Sequence, residues 1–80
     1  MVQRFYLHVH NHDGEAVDRE GQDFADLDGA RDAAIAGIRS LLCSELTEGR
    51  LDLRATIEID DAQGSRVLSI PYAEALRIIT

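Results

Sequence analysis

Gln3-Arg4-Phe5-Tyr6-Leu7-His8-Val9-His10 alternates polar and apolar side chains from Arg4 onward. Phe5, Leu7 and Val9 fall on one side of an extended chain and Arg4, Tyr6, His8 and His10 on the other, the period-two pattern of a half-buried strand. Asn11-His12-Asp13-Gly14 follows with turn chemistry, Gly14 being free to take positive φ. The spacing predicts a hairpin with its second arm at residues 15–19. That arm is short and polar apart from Ala16 and Val17, as suits a sheet edge where charge discourages further pairing.

The same alternation returns downstream. Leu53, Ala55, Ile57 and Ile59 interleave with Arg54, Thr56, Glu58 and Asp60, a third strand with one buried face. Asp61-Ala62-Gln63-Gly64 supplies a second turn, and residues 66–70 form a fourth strand with Leu68 and Ile70 inward and Pro71 as its stop. Between the two hairpins the period changes. After a loop at residues 21–27, anchored by Phe24 and Leu27, the positions Ala34, Ile35, Ile38, Leu41, Leu42 and Leu46 recur at helical steps. Asp28 is the expected N-cap, the helix runs to about Thr47, and Gly49 suits the C′ position. Gly37 costs up to about 1 kcal/mol in a helix, which suggests close approach to the sheet. Ala73, Leu76 and Ile79 give a short C-terminal helix of about two turns at 3.6 residues each.

These elements define one α+β domain over residues 1–80 with the order β-β-α-β-β. They predict a four-stranded, mainly antiparallel sheet carrying one long helix on one face and a short C-terminal helix. Strand order 2-1-3-4 makes the sheet wholly antiparallel, and 2-1-4-3 makes the first and fourth strands parallel. The former is favoured because antiparallel pairs are commoner. One core must stabilise the whole chain, since separate cores need about 50 residues each. A domain of this size gains about 3–5 kcal/mol from its core and commonly recruits a metal or a partner chain.

Charge narrows the possible partners. Fifteen acidic residues face eight basic ones, net −7, and all eight are arginines scattered along the chain. A nucleic-acid binder needs a basic stripe to neutralise phosphates, so no nucleic-acid partner is expected. No segment approaches the ~18 apolar residues of a membrane span, and the first residues lack a signal-peptide core, so a cytoplasmic location is expected. Cys43, the sole cysteine, sits among leucines as an expected small buried hydrophobe.

Only residues 7–14 resemble a catalytic motif. His-x-His on a strand sets two imidazoles about 7 Å apart on one face, where they can converge on one divalent metal. The pattern also looks like the opening of the polymerase-and-histidinol-phosphatase metal domain, whose further ligands need a much longer chain. His8, His10 and His12 are the candidate metal ligands, with Glu58, Asp13 or a second subunit completing the site. The serines lack an elbow context and no glycine-rich phosphate loop exists, so catalysis is not expected.

Several segments taken together carry a resemblance. They are Arg4-Phe5-Tyr6-Leu7-His8 followed by Asp13-Gly14, Asp26-Leu27 before an alanine-rich helix, Glu48-Gly49-Arg50-Leu51-Asp52-Leu53, Ile57-Glu58-Ile59 with Asp61 and Gly64, and Val67-Leu68-Ser69-Ile70-Pro71-Tyr72-Ala73. In this order they resemble a family of small uncharacterised bacterial domains of unknown function. Its members typically begin with an Arg-Tyr-Phe-Phe-His type strand and end with a Val-Pro-Phe type segment. The resemblance covers almost the whole chain and implies no activity, cofactor or catalytic residue. His8 matches its pattern, whereas His10 and His12 depart from it.

Two functional expectations follow. The first is a non-enzymatic interaction or regulatory module, homodimeric or bound to another protein. Its contact surface is the uncovered sheet face of Tyr6, His8, His10, Thr56 and Glu58, with Val67 beside it, or an edge strand. The second is a metal- or small-ligand-binding domain built on His8, His10 and His12.

Overall fold

The alternating segment becomes the centre of the sheet. In the computed structural model, which describes residues 1–11, 13–77 and 79, β1 (Gln3–Asn11) is flanked on both sides. On one side lie β2 (Gly14–Ala16) and β3 (Gln22–Phe24), each pairing with one end of β1. On the other lies β4 (Thr56–Asp60), followed by β5 (Arg66–Pro71). Every pairing is antiparallel, in the order β2-β1-β4-β5 with β3 beside β1. The sheet therefore has five strands and not four. Residues 22–24, expected as loop, form β3 because Arg4 and Asp23 stand directly opposite each other and join through Nε and Nη2 at 2.9 and 3.2 Å. The Phe24 ring also packs 6.2 Å from that of Phe5. The second arm of the hairpin stops at Ala16, short of the expected residue 19.

Helix α1 (Leu27–Thr47) crosses one face of the sheet. Its N-cap is Asp26, whose carboxylate accepts the Gly29 N–H at 2.9 Å. Asp28, the expected cap, lies inside the first turn, where its charge faces the positive end of the helix dipole. The C-terminus closes in a Schellman motif. Gly49, at φ +83, donates to the Leu46 carbonyl and Arg50 donates to that of Glu45.

The apolar contact is a narrow i, i+4 stripe. Ala30, Ala34, Ile38 and Leu42 are buried and meet Phe5, Ile57, Ile59 and Ile70 of the sheet. Alanine at two of the four positions keeps the first half of the helix close to the strands. Leu41, Leu46 and Cys43, expected inside, are exposed, because the core reaches only this stripe and the partly buried Leu27 and Ile35 beside it. Gly37 has open space where a Cβ would stand, so it marks no close approach. At the C-terminus the expected two-turn helix is a 3-10 turn, Tyr72–Ala75, which buries Tyr72 and Ala75 in the core.

Candidate functional site: the open face of the sheet

Register decides which side chains share the face opposite α1. Tyr6, His8 and His10 stand across from Asp60, Glu58 and Thr56, while Leu7 and Val9 stand across from Ile59 and Ile57. On β5, Ser69 pairs with Glu58 and Arg66 with Asp60, the latter at an irregularity between Ile59 and Asp60. The sequence-derived binding residues Tyr6, His8, His10, Thr56 and Glu58 are thus brought to one face. His12, the third candidate metal ligand, lies outside the described residues.

His8 is not a wet surface residue but the one buried polar side chain among those described, at 7% exposure. The cause is a mismatch along the edge of β1. Between the pairs Val9–Ala16 and Phe5–Gln22, the five residues 17–21 lie opposite only Tyr6, Leu7 and His8. The surplus forms a wide bulge that folds over the imidazole. Asp18 is its hub. Its backbone N–H donates to His8 Nδ1 at 2.9 Å, and its carboxylate accepts the N–H groups of Leu7, Gly21 and Glu20 at 3.1, 3.0 and 3.2 Å. The carboxylate thereby supplies Leu7 with the acceptor that a neighbouring strand would otherwise provide. Gly21 is required where it stands. Its φ is +72, and an added Cβ would sit 2.9 Å from Tyr6 Cε2 and 3.0 Å from the Phe5 carbonyl.

The other imidazole nitrogen is also engaged. His8 Nε2 lies 3.2 Å from Asp60 Oδ2, and Asp60 Oδ1 accepts from Arg66 Nε at 2.6 Å. Because Nδ1 accepts a backbone N–H, it carries no proton. The proton belongs on Nε2, facing Asp60. Arg66 continues to Glu58 at 3.6 Å, and Glu58 accepts the Thr56 hydroxyl at 3.0 Å. His10, exposed near the strand end, faces Glu15 at 3.6 Å. The face is therefore a connected layer of hydrogen bonds and ion pairs running from the bulge to β5.

Its carboxylates titrate accordingly. The hydrogen bond from Arg66, aided by the Arg66 charge and by the hydrogen bond from His8, holds Asp60 below its ordinary value against its desolvation. Glu58 is lowered first by a hydrogen bond from Ser69, then by Thr56, Arg66 and His10. Burial pushes Asp18 up, but the N–H groups of Gly21, Leu7 and Glu20, with His8, more than offset it, and its value is lowered.

Chemically, the arrangement orients an imidazole and pins a loop. A metal ligand needs a free ring nitrogen, and His8 has none. Among the described residues no group of three or more His, Cys, Asp or Glu side chains is placed to hold a metal ion. A separate cleft lined by Asn11, Asp13, Glu45, Arg50, Asp52 and Tyr72 opens at the far end of β1. There, burial first and Glu45 second raise the Tyr72 phenol above its ordinary value. Sequence reasoning missed Asp18, Gly21, Asp60 and Arg66. The one available signal was Asp18-x-x-Gly21, the spacing of a side-chain-capped turn.

Over residues 4–73 the chain matches the model of a family described as a domain of unknown function, DUF6894. No curated protein and no solved structure matches it.

Proposed function

The chain belongs to the DUF6894 family, and with no activity to inherit from that description we propose that it is a non-enzymatic interaction module that pairs with a second copy of itself through β5. The observation that carries this reading is the condition of the two sheet edges. The edge of β2 and β3 is split by the bulge at residues 17–21 and carries Glu15 and Asp23. The β5 edge is six residues long and ends the sheet. It holds no acidic residue in a chain of net charge −7, so self-approach there meets little repulsion.

The hydrogen-bond phase of that edge supports the same reading. The Tyr72 N–H donates to the Ala55 carbonyl at 2.9 Å. Alternation along an antiparallel ladder then aims the backbone groups of Ile70 and Leu68 at β4 and those of Ser69, with the Pro71 carbonyl, outward. Pro71 fits this phase, since the N–H it lacks would have pointed to solvent. Outward N–H and C=O groups on an edge strand are what strand addition uses. Two copies related by a twofold axis can set Ser69 against Ser69, with Val67, 37% exposed, at the margin.

Light scattering on the eluting protein across a concentration series tests this directly. The wild type should approach the mass of two chains as concentration rises, and so should Ser69→Ala, which keeps the backbone N–H. Ser69→Pro removes the outward backbone donor together with the hydroxyl that bonds Glu58, a loss that Ser69→Ala shares, and should remain a folded monomer. A wild type that stays monomeric throughout, or a Ser69→Pro variant that dimerises equally well, contradicts the proposal.

A further inference from the structure

We propose that the bulge at residues 17–21 is latched by the neutral form of His8 and released when that imidazole takes up a second proton. The geometry leaves little alternative. Nδ1 is the acceptor of the Asp18 backbone N–H at 2.9 Å, and a ring nitrogen bearing its own hydrogen cannot accept one. Imidazolium and the present position of the Asp18 peptide are therefore incompatible. One of them must give way.

The charged groups facing His8 determine which one moves. From β4, Asp60 lies 3.2 Å from Nε2 and Glu58 stands directly opposite on the ladder. From β5, Arg66 lies behind Asp60 at 2.6 Å. On β1 the neighbours along the same face are Tyr6 and His10, and the bulge itself contributes the Asp18 carboxylate with Arg19 and Glu20 beyond it. From β2, Glu15 faces His10 at 3.6 Å, and helix α1 packs against the opposite face. Asp60 holds the Nε2 side in place in either protonation state, so the ring stays and the peptide of Asp18 moves. The new Nδ1–H can turn to the Asp18 carboxylate, which now binds three backbone N–H groups. Diverting that carboxylate loosens Leu7, Glu20 and Gly21 together. Release therefore propagates from one hydrogen bond to the whole bulge, and to the Tyr6 ring against Gly21. This device is independent of pairing through β5, which lies at the other edge.

The test is a pH titration of the unmodified protein by NMR from about pH 8 to about pH 5, the interval in which imidazoles ordinarily change charge. The Asp18 amide resonance should move with the same midpoint as the His8 ring nitrogens. Its intrinsic-rate-corrected hydrogen exchange should quicken by about fivefold or more, as expected for loss of one hydrogen bond. His10→Asn should leave that transition in place. An Asp18 amide that does not move while His8 titrates overturns the proposal. So does a His8 that stays neutral until the protein unfolds, or a transition abolished by His10→Asn.

Discussion

The two faces of the sheet are held by different physics. Beneath α1, Phe5, Ile57, Ile59 and Ile70 meet Ala30, Ala34, Ile38 and Leu42 in a layer where close packing does the work. On the opposite face, His8, Asp18, Asp60, Arg66 and Glu58 are joined by directed contacts of 2.6 to 3.6 Å. An apolar layer tolerates some change of shape if volume is kept. A directed network does not, because each buried group that loses its partner bears the full cost of desolvation. The covered face therefore supplies most of the stability, and the open face fixes the position of a loop.

That contrast can be broken first at its strongest point. Ile38 is fully buried at the middle of the helical stripe, and Ile38→Ala should cost about 2–5 kcal/mol. The loss rivals the entire stability of about 3–5 kcal/mol expected from a core of this size. Urea denaturation followed by circular dichroism should show the cooperative transition displaced to very low denaturant or gone. A loss under about 1 kcal/mol would mean that the stripe is not the principal support.

Asp18→Asn sharpens the other half of the comparison. The side chain keeps its size, but one acceptor oxygen becomes an NH2 facing a backbone N–H, for a loss of about 1–3 kcal/mol. Its pH dependence carries a definite sign. Asp18, Glu58 and Asp60 are lowered from ordinary values of 3.8, 4.5 and 3.8, so the unfolded chain binds protons more readily. Their contribution is complete above those ordinary values and fades as pH falls through the lowered ones. The advantage of wild type over Asp18→Asn, measured by denaturation at successive pH values, should therefore shrink as pH falls below those ordinary values. Growth of that advantage in the same acid range would reverse the sign and remove the carboxylate from its assigned role.

The smallest effect belongs to the outer side of the same helix. Leu46 is 64% exposed, and Leu46→Ala should change stability by no more than about 0.5 kcal/mol. A larger loss in the same denaturation experiment would show that more than one stripe of α1 is under load.

Where the sequence was readable, one strong periodicity met one simple environment. β1 and β4 alternate cleanly and emerged as the two inner strands, and the helix was legible to within a residue or two of its ends. Legibility failed where the chain departs from a regular period. Gln22-Asp23-Phe24 is too short and polar to show alternation, so β3 depended on the Arg4–Asp23 pair, which joins residues 19 apart. The N-cap was misplaced by two residues because Asp26 and Asp28 are chemically equivalent until the first turn chooses between them. Leu41 and Leu46 lie at helical spacing, yet a sheet this narrow can cover only part of an apolar arc. His8 was read on its correct face and in the wrong environment. Alternation says which way a side chain points, but not that five residues will be packed opposite three and close over it. The hub at Asp18 left no periodic trace at all.

The central claim is that His8 is held by the bulge and by Asp60, one at each nitrogen. Long-range nitrogen–proton correlation spectra of the imidazole at neutral pH read both nitrogens in one experiment. They should show an unprotonated Nδ1 accepting a hydrogen bond and a protonated Nε2, unchanged by added zinc. A proton on Nδ1, rapid exchange between the two tautomers, or a zinc-dependent shift at either nitrogen would contradict the arrangement from which the rest of the open face has been derived.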